Sequence, residues 1–61
     1  MVNYRLYCIR RGHFFHCEAF DASDDDEAAA RSLELRGSDA AELWSGARKV
    51  REFPVPVGAD R

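Results

Sequence analysis

Ser23-Asp24-Asp25-Asp26-Glu27-Ala28-Ala29-Ala30-Arg31-Ser32-Leu33-Glu34-Leu35-Arg36-Gly37 reads as one helix with both of its ends marked. Ser23 or Asp24 serves as N-cap, since its side-chain oxygen accepts from a backbone N–H that the first turn leaves unpaired. Asp24 and Glu27 have capping-box spacing, and the other acids sit where the positive end of the helix dipole favours them. Alanines and leucines extend the helix, and Gly37 ends it in the left-handed conformation. The expected helix covers residues 24–36. Ala29, Ala30 and Leu33 form its expected stripe against a sheet, while Leu35 points elsewhere.

Upstream of this helix, residues 2–10 are rich in Tyr, Leu, Cys and Ile and read as a strand, Gly12 supplies a turn, and residues 13–21 return. A two-residue turn at Arg11-Gly12 needs positive φ at both positions. That is easy at Gly12 and costly at Arg11, so a longer loop is the alternative. Because side chains alternate along a strand, Tyr4, Leu6 and Cys8 are expected to share a face with Phe15, Cys17 and Ala19. The opposite face then carries Arg5, Tyr7 and Ile9 with Phe14, His16, Glu18 and Phe20. One helix covers one face, so the second face, apolar at Tyr7, Ile9, Phe14 and Phe20, asks for a partner.

Downstream, Ser45, Gly46 and Ala47 separate two short strand-like runs, a second hairpin. The expected register sets Leu43 opposite Val50, Glu42 opposite Arg51 and Trp44 opposite Lys49. Pro54 and Pro56 lack the donor of a central strand and make the last strand an edge or end it. Residues 1–57 are thus expected to form a single small domain and residues 58–61 a frayed tail. The fold class is α+β, in the order β-β-α-β-β, with an antiparallel sheet and the helix packed on one face; the order of the strands stays open.

The run Glu42-Leu43-Trp44-Ser45-Gly46-Ala47-Arg48, preceded by the capped helix and an N-terminal Tyr-Arg-Leu-Tyr strand, resembles a group of short uncharacterised bacterial proteins. The resemblance supports the order of elements and implies no activity.

A domain of 61 residues buries only about 60% of the surface that its unfolded chain exposes, so disulfides, a metal or a second subunit are the usual supplements. No secretory leader or membrane-length apolar run is seen, which makes the expected location cytoplasmic and the two cysteines reduced. Two buried thiols are the expectation, although Cys8 and Cys17 are near enough to opposite one another for a disulfide. His13, His16 and the cysteines lack the spacing of a zinc site, and the aspartates lack the alternating ligands of a calcium loop. No cofactor motif is present, and the glycines stand apart at 12, 37, 46 and 58. The expectation is therefore no metal, no cofactor and no enzyme.

Net charge is −2, yet Asp21, Asp24, Asp25, Asp26 and Glu27 hold five of the eleven acids, which leaves the hairpins basic. Two functions compete. The first is a homo-oligomer, a dimer in its simplest form, or a protein-binding module using Tyr7, Ile9, Phe14, His16 and Phe20. The second is single-stranded nucleic-acid binding, with Arg5, Arg10, Arg11, Arg48, Lys49 and Arg51 on phosphates and Tyr7, Phe14 or Trp44 stacked on bases.

Overall fold

A computed structural model describes residues 1–55; the expectations for Pro56 and for the tail at 58–61 lie outside the described residues. Strands β1 (Val2–Arg10) and β2 (His13–Ala22) precede helix α1 (Asp25–Leu35), and strands β3 (Ala40–Ser45) and β4 (Arg48–Phe53) follow it. They form one antiparallel sheet in the order β2-β1-β3-β4. The β-β-α-β-β order and α+β class read from the sequence are therefore the architecture of the protein. The two hairpins belong to one sheet, joined through β1 and β3, so both second strands lie at its edges.

The helix starts and stops as its sequence dictates. Asp24 Oδ1 accepts from the Glu27 N–H at 2.8 Å, and the Glu27 carboxylate accepts from the Ser23 N–H. The reciprocal bond thus reaches one residue ahead of the cap. Arg36 closes the last turn by donating to the Ser32 carbonyl, and Gly37 follows at φ 61°.

The buried stripe differs from the expected one: Ala28, Ala29 and Ser32 face the sheet, while Ala30 and Leu33 are exposed. Small side chains let the helix lie close to the strands. Ser32 tolerates full burial because its hydroxyl donates to the Ala28 carbonyl at 2.8 Å. Against this stripe the sheet presents Tyr4, Leu6, Cys8, Ala22, Ala41, Leu43 and Phe53, with Phe20 and Val50 packed at the margin.

Register is where the sequence reading needs correcting. The first hairpin does turn on Arg11-Gly12, at φ 54° and 79°, with Arg10 opposite His13 and Ile9 opposite Phe14. Continued regularly, that pairing would set Phe15, Cys17 and Ala19 opposite Cys8, Leu6 and Tyr4. Instead a bulge absorbs Phe15, and the pairs become Cys8 with His16, Leu6 with Glu18 and Tyr4 with Phe20. A one-residue slip turns every following side chain to the other face. The slip brings Phe20 and Ala22 to the helix side, where a regular strand would have set Ala19 and Asp21.

The second hairpin repeats the device. Trp44 pairs with Lys49 as expected, but a bulge at Val50 sets Arg51 opposite Leu43, Glu52 opposite Glu42 and Phe53 opposite Ala41. Val50 still reaches the core, and Phe53 joins it. The facing carboxylates of Glu42 and Glu52 are reconciled by Lys49, whose Nζ lies 3.6 Å from one and 3.4 Å from the other.

Candidate functional site

The helix leaves one face of the sheet uncovered. With the observed register, Arg5, Tyr7 and Ile9 of β1 stand there beside Phe14, Cys17 and Ala19 of β2 and Ala40, Glu42 and Trp44 of β3. Rings from three neighbouring strands meet in an open depression of about 300 Å³ lined by Tyr7, Phe14, Glu42, Trp44 and Gly46. Tyr7 and Phe14 lie 5.7 Å apart with their planes tilted by 55°. The Trp44 indole N–H donates to Glu42 Oε1 at 3.1 Å, fixing the ring and satisfying one oxygen of a largely buried carboxylate. Phe14, at 63% exposure, is the largest apolar protrusion of this face.

Of the five residues expected to make the second apolar face, Tyr7, Ile9 and Phe14 are there. His16 and Phe20 are not, because the Phe15 bulge turns them to the helix side. Phe20 stacks on Tyr4 with ring centroids 5.9 Å apart and carries the Arg31 guanidinium 5.5 Å from its own. His16 is exposed at the sheet margin, its Nε2 2.8 Å from Glu18 Oε2. Trp44, Cys17, Ala19 and Ala40 complete the face. As a site residue, Trp44 enters the sequence reading only as one of three candidates for stacking on bases; its place beside Tyr7 depends on β1 pairing with β3, which no local signal announces.

The basic residues are dispersed. Arg48 forks onto Asp25 with both bonds at 3.2 Å, and Arg51 Nη2 lies 3.8 Å from Asp26, both on the helix side. Arg10 forks onto Asp39 at 3.1 and 3.2 Å while its guanidinium lies 4.2 Å over the Phe15 ring. Lys49 is held between Glu42 and Glu52. Of the six basic residues in the nucleic-acid reading, only Arg5 and Arg11 have no carboxylate partner among the described residues.

The thiols separate. Cys8 is buried and Cys17 is exposed; they project to opposite faces and both are free, which corrects the expectation of two buried thiols and closes the disulfide alternative. Cys8, His16 and Glu18 follow one another on the helix side, an order that invites comparison with a nucleophile and its base. Burial pushes the Cys8 thiol up, and the charges of Asp39 and Glu18 add to the effect. Among the described residues no hydrogen bond links the sulfur to the imidazole, whose Nε2 lies against Glu18 instead, so the thiol lacks the contact that activates a nucleophile. No group of three or more potential metal ligands gathers among the described residues. No helix among them is long and apolar enough to cross a membrane.

Fold and face together define a small α+β protein with an antiparallel sheet, one side closed by a helix and the other presenting aromatic side chains. The chain matches no protein-family model, no curated protein and no solved structure.

Proposed function

We propose that this protein is a self-associating interaction module whose outer sheet face packs against the same face of a second copy. The observation that carries the reading is the uncovered aromatic face of Tyr7, Phe14 and Trp44, continued by Ile9, Cys17, Ala19 and Ala40. The helix-side core is small, with four alanines and a cysteine among its nine buried apolar residues. A second buried face supplements such a core. Self-pairing is also consistent with the charges of the face, where Arg5 and Lys49 stand against Glu42 and Glu52, two of each sign, and Lys49 lies between the two carboxylates.

Nucleic-acid binding is the weaker reading. Phosphate binding needs unpaired cations along one surface, and four of its six basic residues are engaged with carboxylates, two of them on the helix side.

Sedimentation equilibrium over a micromolar concentration series, for the wild type and for Phe14→Asp, tests the proposal. The wild type is expected to exceed the mass of one chain, and Phe14→Asp to lower the mass at equal concentration. A wild-type mass of one chain throughout, or a variant indistinguishable from it, overturns the assignment.

A further inference from the structure

The two edges of the sheet are protected unequally. β4 has six residues, of which Arg48, Lys49, Arg51 and Glu52 are charged, and Pro54 follows it. Short length, charge and a nearby proline are the devices that keep an edge from pairing. β2 is ten residues long, has no lysine, arginine or proline, and has a neighbour on one side only. Its bulge lies near the turn, so residues 16–22 run regularly along a free edge.

We infer that β2 pairs antiparallel with β2 of a second copy about a two-fold axis at Ala19, extending the sheet to eight strands. This interface is separate from the outer face. Register follows from the side chains. Centring the pair on Ala19 uses the whole regular segment and sets two small residues against each other on the axis. Centring it on Glu18 would oppose like carboxylates, and centring it on Cys17 would run the pairing through both bulges.

The Ala19 register also sets Glu18 opposite the partner's Phe20. Arg31 already lies 5.5 Å over the Phe20 ring and has no carboxylate within 4.0 Å among the described residues. Glu18, whose side chain is 43% exposed, has His16 as its only ion-pair partner among the described residues. Pairing the edges therefore brings Arg31 of each copy beside the partner's Glu18, twice by symmetry. This charge complementarity selects a second copy as the occupant of the edge. Together with face-to-face packing about an axis that meets this one at right angles, it makes a closed assembly of four chains.

The test is sedimentation equilibrium of the full chain, with circular dichroism to check folding, on variants that separate the two contacts. Wild type is expected to reach four chains and Phe14→Asp, in which the outer face is spoiled, to stop at two. Adding Glu18→Arg to Phe14→Asp should weaken the remaining dimer by about tenfold or more. Adding Arg31→Glu as well should restore it, an outcome that a folding defect does not give. A folded Phe14→Asp chain with the mass of one copy overturns the edge inference and leaves the face assignment standing. Failure of the charge exchange to restore the dimer overturns the proposed register. A Phe14→Asp mass equal to that of the wild type, lowered by Glu18→Arg alone, supports the edge and overturns the face.

Discussion

The Tyr4 hydroxyl donates to Asp25 Oδ1 at 2.7 Å, so the first turn of the helix is tied to the middle of the sheet through a buried ring. Arg48 forks onto the same carboxylate from β4. One aspartate thereby joins β1, α1 and β4, and it belongs to the acidic run whose sequence reading was capping and dipole complementarity alone. Tyr4→Phe keeps the packing and removes one hydrogen bond. The loss expected is a Tm lower by about 4–8 °C, read by thermal unfolding. An unchanged Tm would mean that solvent replaces the bond without cost.

The same cluster sets the pH dependence of stability. Arg48, then Tyr4, hold the Asp25 carboxyl below the ordinary carboxylate range, and the Ser23 backbone N–H does the same for Glu27. When the folded value is depressed, the unfolded chain binds more protons at low pH. The contribution of these groups is therefore complete above the unfolded values of about 4 and is lost as the pH falls from there through the depressed folded values. Tyr4 is shifted in the opposite sense: its hydrogen bond to Asp25, then burial, raise it, so its contribution is present below the ordinary tyrosine range and lost as the pH rises through the folded value. Urea unfolding across both arms is expected to show Asp25→Asn flattening the acid arm and Tyr4→Phe the alkaline one.

The turn of the first hairpin stores strain. Arg11 has φ 54° and is the one non-glycine with positive φ among the described residues. Replacing it by Gly or Asn, which suit the first position of a primed turn, is expected to stabilise the protein by about 0.5–1 kcal/mol, read from the urea midpoint. At Gly46, φ 62°, an added Cβ meets no atom within 4 Å, so the cost of Gly46→Ala isolates the backbone conformation. A loss of about 1 kcal/mol is expected there.

Element order was legible in the sequence because its signals are local: an N-cap with Glu three residues on, a glycine after the last turn, and glycines between apolar runs. Which side chains share a face was legible only up to each bulge. Phe15 and Val50 each insert one residue, and both insertions are set by tertiary burial: Phe20 with Ala22, and Phe53, reach the helix side only if the strand slips. Periodicity carries no sign of that preference. This is why Tyr7, Ile9 and Phe14 were found as face residues while His16 and Phe20 were assigned to the wrong side.

The corrected faces predict thiol chemistry. Cys17 is exposed and Cys8 is buried at 2% exposure. In the Phe14→Asp background, where the outer face is open, a disulfide reagent is expected to titrate one thiol rapidly and the second only on unfolding. Cys17→Ser should remove the fast phase. Two fast thiols would contradict the observed register of the first hairpin.

The helix stripe gives the sharpest contrast between hydropathy and packing. Leu33 is the more apolar side chain yet is 53% exposed, whereas Ser32 is fully buried against the sheet. Leu33→Lys is therefore expected to change stability by no more than about 0.5 kcal/mol. Ser32→Leu should cost about 1–3 kcal/mol, because it forces a larger side chain into a contact built from Ala28, Ala29 and a hydroxyl already bonded to the Ala28 carbonyl. Ser32→Ala keeps the close approach and removes donor and hydroxyl together, so its effect is expected to be small. If Leu33→Lys proved the more damaging substitution, the helix would lie on the sheet through the stripe that hydropathy suggests, and the close packing at residue 32 would be wrong.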